Sequence, residues 1–422
     1  MAYPQSSNLA AFAAALKNGN VGVDVYGDST IAGQPSDSGQ DWDNLFYGLL
    51  RQWSITDLRG FSTDIWLDSG QYTPSPDQSG SVTHPVGTHN KRKPNSINTW
   101  STSGADETGV LGMLNGLQIN GQASSGNQNL VLVEWTVADL PSGPIKDILQ
   151  SSAVKGSAIF HHHTDGMQGQ LQIIGGASPV GETINTASGS GITKSSITAN
   201  ADLSSATAID FRFRQRSVPD GDQSGNYGRL GQMILEDQNV TGCTLTGCGI
   251  GGVGIRDIAN ELGDSPAGLC DDADFNAYRA ATGATAAIVQ VGRNDSGETG
   301  NNINAWMDDY LGRLATAGYT HILVLGIPKD GSISAGNTDK VNQSMYDAVN
   351  DHSTASASFL SMYTATGSAQ LDASYLESGP HYTKAGADYL AGVIMEQLQQ
   401  AGGARQRLRR RGRRRRHDYY TL

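Results

Sequence analysis

Three short stretches of the chain hold side chains that together could transfer an acyl group. Ser29 closes the run Val25-Tyr26-Gly27-Asp28-Ser29, immediately after the apolar segment Val21–Tyr26. A serine hydroxyl there can attack a carbonyl carbon, provided a neighbouring base accepts its proton. Gly27 lets the chain turn without a clashing side chain. His381 stands in Glu377-Ser378-Gly379-Pro380-His381-Tyr382-Thr383, directly before the last helical pattern. Its neutral imidazole can take a proton and return it near physiological pH. Asn294, in Gly292-Arg293-Asn294-Asp295, follows the apolar run Ala286–Val291. A side-chain amide there can donate to an oxyanion without adding a charge that titrates. Taken singly, each has a plainer reading: a Gly-Asp-Ser turn capping a helix, an Asn satisfying its own backbone, a structural histidine.

What sets these residues apart is the elements in front of them. In an open parallel sheet, ligands sit beyond the carboxyl ends of the strands. From the N-terminus to about residue 75 the pattern is α/β. Leu9, Phe12, Ala13 and Leu16 mark a helix over residues 8–17, Val21–Tyr26 a strand, and Trp42, Leu45, Phe46, Leu49 and Trp53 one face of a second helix. The rhythm returns after residue 250. Ile255, Ile258, Ala259 and Leu262 mark a helix and Ala286–Val291 a strand. Ile303, Trp306, Met307, Tyr310, Leu311 and Leu314 mark a helix ending near Gly318, and His321–Ile327 the next strand. Ala387, Leu390, Ala391, Ile394 and Leu398 line the last helix. This succession predicts one doubly wound parallel sheet.

The stretch 76–240 loses the helical period and becomes rich in Gly, Ser, Thr and Asn. Within it Ile209, Phe211 and Phe213 alternate with Asp210, Arg212 and Arg214, the mark of a strand with one buried face. Further strands are expected at Leu130–Val137, Ala158–His162, Leu171–Ile174 and Met233–Leu235. The expectation is therefore an α/β sheet interrupted by an inserted β-rich domain, a sandwich. The division reads 1–75 and 241–402 for the two parts of the sheet domain, 76–240 for the insert and 403–422 for an Arg-rich tail.

Gly-Asp-Ser after the first strand, Gly-x-Asn-Asp after a middle strand and His before the terminal helix occur in an order that resembles the SGNH (GDSL-type) hydrolase family. Gly249-Ile250-Gly251-Gly252-Val253-Gly254-Ile255-Arg256-Asp257 is similar to that family's second block, a glycine at the mouth of a helix. The resemblance covers residues 8–75 and 245–400 and not the insert. It implies a flavodoxin-like sheet and an esterase with Ser29 as nucleophile and His381 as general base. The oxyanion hole it implies consists of the backbone N–H groups of Ser29 and Gly252 and the amide of Asn294. The family places an acid three residues before its histidine, where this chain has Ser378. Glu377 is the acid if the loop carries an extra residue; otherwise a backbone carbonyl orients the ring.

Among the activities implied are carbohydrate O-deacetylation, lipid ester hydrolysis and thioester cleavage. The polar insert favours an acylated glycan, an acetylated polysaccharide, over another small ester. An O-acyltransferase on the same residues, or a virion or tail protein that carries the hydrolase fold as a structural or glycan-binding module, are the alternatives. No cofactor and no metal are expected. His161-His162-His163 lies on a strand that would send only His161 and His163 to one face, too few ligands for a site.

Composition bounds the rest. No run approaches the roughly 18 apolar residues of a membrane span, and no basic leader precedes an apolar stretch at the N-terminus. The compartment stays open: cytoplasmic, particle-associated, exported without such a signal, or already processed. Three cysteines are too few for a disulfide framework, and Cys243 and Cys248 read as small buried thiols rather than a local pair. The net charge of −12 conceals an asymmetry. Nine arginines lie between Arg405 and Arg416, where no acid accompanies them, and Asp418 is the one acid beyond. With these set aside from the 29 basic and 41 acidic residues, the body holds 20 basic and 40 acidic ones. Such a body does not bind nucleic acid through its own surface. The tail is expected to be solvated and without order in isolation, and to contact an anionic polymer or a partner chain.

Overall fold

The computed structural model describes residues 8–32, 44–63, 81–84, 87–90, 97–98, 117–120, 130–140, 142–162, 166, 168–188, 191–215, 227–249, 254–256, 272–353, 356–367, 370–376 and 381–417. Its strands in chain order are β1 Gly22–Gly27, β2 Leu58–Thr63, β3 Ser81–His84, β4 Gly87–Asn90, β5 Ile97–Asn98, β6 Leu117–Asn120, β7 Leu130–Thr136, β8 Val154–His162 and β9 Gln168–Ile174. They continue with β10 Val180–Asn185, β11 Gly191–Ser196, β12 Ala208–Gln215, β13 Tyr227–Asp237, β14 Cys243–Gly249, β15 Ala284–Gln290, β16 His321–Leu325 and β17 Ser356–Leu360.

An 11-stranded sheet follows the path β11-β8-β13-β2-β14-β1-β15-β16-β17, with β5 and β6 branching from β13. From β2 to β17 every neighbour is parallel, and helices cover both faces as a doubly wound sheet requires. Alternation along the strands divides the core accordingly. Val23, Val25, Ala286 and Ile288 pack with Phe12, Leu45, Leu390 and Ile394 from the helices Leu9–Lys17, Leu45–Gln52 and Lys384–His417. Tyr26, Ala287 and Val289 face the other way, against Met307, Leu311, Val341 and Met345 from Gly300–Ala317 and Ala335–Asp351.

The residues after 76 do two things in this architecture. β7, β9, β10 and β12 form a second, antiparallel sheet in the order β10-β9-β12-β7, while β8, β11 and β13 extend the main sheet by antiparallel pairing. The two layers are in contact: Phe160 of β8 lies 4.9 Å from Phe213 of β12, ring centre to ring centre. At Gly156 a Cβ would come within 2.9 Å of Ile173 and Phe211, so the layers approach too closely there for a side chain. One leaf of the sandwich is thus continuous with the parallel sheet, and Phe211, Trp135 and Leu45 belong to one core.

The predicted strands within the described residues recur, Met233–Leu235 and Ala158–His162 as parts of the longer strands Tyr227–Asp237 and Val154–His162. Ile255 and Arg256 are helical, and Ile258, Ala259 and Leu262 of the predicted helix, together with Trp42, lie outside the described residues. The terminal helix runs on to His417, so the backbone of the Arg-rich run continues it; a charged run expected to be without order in isolation here extends a helix already nucleated by the buried face of Ala387, Leu390 and Ile394. Cys243 and Cys248 are buried free thiols on β14. No described helix is long and apolar enough to cross a membrane.

Candidate active site

Strand register brings the candidate residues to one edge. β14, β1 and β15 are parallel neighbours, and their last residues, Gly249, Gly27 and Gln290, stand opposite one another. The loops carrying Ser29 and Asn294 therefore leave the sheet side by side, and the segment with Gly252 leaves from the adjacent strand. Gly252 itself, like Glu377, lies outside the described residues.

Ser29 opens the short helix Ser29–Ala32 and is half-buried. A Cβ on Gly27 would fall 2.3 Å from Ile31 and 2.6 Å from the carbonyl oxygen of Gln290. The glycine is thus required by close approach of β15 and of the helix that presents the serine. Asp28 shapes the same turn. Its Oδ1 accepts from the Thr30 backbone N–H at 2.9 Å and from the Thr30 hydroxyl at 2.7 Å, an arrangement that satisfies donors at the start of the helix. Burial pushes the Asp28 carboxyl above its ordinary range, with the Thr30 bonds and the Arg293 charge pulling it down and Asp295 pushing it up.

His381 reaches this turn from the far end of the chain. Its Nε2 lies 3.1 Å from Ser29 Oγ, across 352 positions of sequence. The segment around it is tied to its own surroundings by the Thr383 N–H to Tyr375 carbonyl bond of 3.0 Å and the Leu376–Tyr382 bridge. Tyr382 is fully buried, and burial raises its hydroxyl's pKa.

Asn294 is exposed in the loop after β15, where Gly292 takes φ +104°, a left-handed conformation that disfavours a side chain. Its two neighbours in sequence are buried and anchor the loop. Arg293 pairs with Asp330 and donates to Ser332; the two charged side chains are 6% and 0% exposed. Asp295 accepts the backbone N–H of Ile255 at 2.8 Å, which fastens the start of the helix after β14 to the loop after β15.

Five residues packed around these loops were not singled out as functional from sequence: Gln290, Tyr382, Arg293, Asp330 and Asp295. One of them carried a visible signal. Gln290 is a polar side chain at the end of an apolar run, and a buried amide must find partners. His162, from the triple-histidine run, has Nδ1 at 2.8 Å from the Ser188 carbonyl after β10 and Nε2 at 2.7 Å from the Thr193 hydroxyl of β11, so both ring nitrogens are engaged.

No family model matches this chain, and the comparison with curated proteins returns no match. Among solved structures it is similar to a carbohydrate esterase family 3 protein from Talaromyces cellulolyticus, at 19% identity over 40% of this chain and 76% of that one, with a TM-score of 0.29. A mutant acetyl esterase bound to an acetate ion gives 18% identity, 40% and 76% coverage and a TM-score of 0.30. A salicylyl-acyltransferase from a tetracycline biosynthetic pathway gives 10% identity, 78% and 98% coverage and a TM-score of 0.26. These likenesses are distant, and the reading of the site stands on its own geometry.

Proposed function

We propose that this chain is a serine esterase that hydrolyses small acyl esters through an acyl-enzyme, with an acetylated polysaccharide as its substrate class. The observation that carries the reading is the 3.1 Å approach of His381 Nε2 to the half-buried Ser29 hydroxyl at the carboxyl edge of a parallel sheet. A nucleophile and a base within hydrogen-bond reach are what such chemistry requires.

In this mechanism the Ser29 Oγ–H proton passes to His381 Nε2 as Oγ bonds to the ester carbonyl carbon. The carbonyl π electrons move to oxygen, and the oxyanion is held by the Ser29 and Gly252 N–H groups and the Asn294 amide. Each such donor is worth about 2.7–4 kcal/mol of barrier lowering. Collapse breaks the ester C–O bond, and the leaving alcohol takes the proton from His381. Water, deprotonated by His381, then attacks the acyl carbon; collapse breaks the Ser29 Oγ–C bond, Oγ takes the proton back from His381, and the acid leaves. Glu377 would hold the opposite nitrogen of the ring and fix its tautomer. The polysaccharide assignment rests on the second, antiparallel sheet layered on the main one.

The test is acetate release from an aryl acetate and from acetylated glycans by the wild type, Ser29→Ala and His381→Ala. Loss of turnover in both variants supports the mechanism; undiminished turnover in Ser29→Ala overturns it. Turnover of the aryl ester with none on any acetylated glycan overturns the substrate class alone.

A further inference from the structure

Gln290 ends β15 with 2% of its surface exposed, and it makes contacts on both sides of the proposed reaction centre. Its backbone carbonyl accepts the Asp28 N–H at 3.3 Å. Its side-chain Oε1 accepts at 2.9 Å from the Thr30 hydroxyl, whose one proton is shared with Asp28 Oδ1, and its Nε2 donates to the Tyr382 hydroxyl at 3.2 Å. Thr30 follows Ser29 and Tyr382 follows His381, so one buried amide joins the residue after the serine to the residue after the histidine. Thr30 and Tyr382 are themselves 3% and 0% exposed, which shields both bonds from exchange with water.

We propose that Gln290 is a positioning residue for the Ser29–His381 pair, its amide acting as a clasp that sets the distance between serine and imidazole. The proposal rests on the serine esterase reading above. Its physical basis is that the two partners arrive on segments with no local connection. Ser29 is presented by β1, whereas the His381 segment is fastened to Tyr375 and Leu376 just before it in the chain. Gln290 belongs to the strand paired with β1 in unbroken register from Val23 to Gly27, so it transmits the position of the sheet directly to the His381 segment. A side chain whose purpose were only to fill the core would need neither bond, and an apolar residue of that volume would cost less to bury.

The test compares Gln290→Leu, Tyr382→Phe and the double variant with the wild type on an aryl acetate, alongside labelling of Ser29 by a fluorophosphonate. Displacement of a reacting pair by about 1 Å costs about 100-fold. The expected result is a fall in kcat of about 10- to 100-fold with KM within about twofold, and labelling slowed in proportion. The double variant should lose no more than the worse single one, because both changes open the same clasp. Folded Gln290→Leu with kcat within about twofold of wild type, or losses that multiply in the double variant, overturns the proposal. If Gln290→Leu does not fold, Tyr382→Phe keeps the buried ring and decides the question by the same kcat and labelling criteria. Failure of the wild type to label at Ser29 would instead overturn the esterase reading beneath it.

Discussion

The carboxylate of Asp295 accepts the backbone N–H of Ile255 at 2.8 Å, and Ile255 is fully buried. This bond ties the loop of Asn294 to Ile255, three positions after the proposed oxyanion donor Gly252 in the chain. Asp295→Ala should destabilise the fold by about 1–3 kcal/mol, the cost of a buried donor left unmet. It should also lower kcat in the folded protein. Urea unfolding followed by kinetics on the folded fraction measures both, and an unchanged kcat would separate the anchor from the oxyanion hole.

Asn294→Ala tests the proposed third oxyanion donor, which would act on charge that develops only in the transition state. The expected outcome is a kcat reduced about 10²- to 10³-fold with little change in KM. A rise in KM with kcat preserved would assign the amide to substrate binding instead.

The buried pair Arg293–Asp330 predicts an asymmetry between removing one partner and keeping both. Arg293→Met strands the Asp330 carboxylate, which is 0% exposed, and should cost about 3–5 kcal/mol. Chemical denaturation is the measurement. A loss below about 1 kcal/mol would show the pair to be dispensable to the fold.

Asp24 lies fully buried on β1, accepting from Thr246, Tyr319 and Thr282. Burial raises its pKa to about 6 from 3.8, against the pull of these bonds and of the Arg279 charge. The folded state therefore holds this proton where the unfolded chain has released it. Its contribution to stability is fully present below pH 3.8 and is lost as pH rises through about 6. The full change is on the order of 3 kcal/mol. Asp24→Asn should remove that slope, so the difference in unfolding free energy between wild type and variant should vary over this window and flatten above it. Parallel curves for the two proteins would rule out Asp24 as the source.

Glu377→Ala should lower kcat by about 10⁴-fold if this carboxylate holds the His381 ring. Full activity in that variant would leave a backbone carbonyl as the group that orients the imidazole.

Much of this protein is legible before any coordinates. Apolar periodicity is a local property, so the helix Leu9–Lys17, the strand ending at Gly27 and the helix Gly300–Ala317 could be read from their own residues. The alternation of Ile209, Phe211 and Phe213 likewise announced a strand with one buried face. Chemical type is also local: a serine and an asparagine after apolar strands and a histidine before the last helix, taken together in that order, suggest acyl chemistry.

Pairing is not local, and there the tertiary structure decided. Periodicity shows that Met233–Leu235 is a strand but not that it lies beside β2, because the backbone hydrogen bonds that choose a neighbour leave no mark on side-chain spacing. The β-rich stretch could therefore be foreseen as a sandwich but not as a sandwich sharing a sheet with the α/β part. The same reason hid Gln290. Its amide was visible as a polar residue in an apolar run, but its partners, Thr30 and Tyr382, lie 260 and 92 positions away. The sequence by itself determined which residues could do the chemistry and which elements carry them. Only the packed sheet decided that Ser29 and His381 would stand 3.1 Å apart, since that distance depends on strand order and on buried polar contacts between segments remote in the chain.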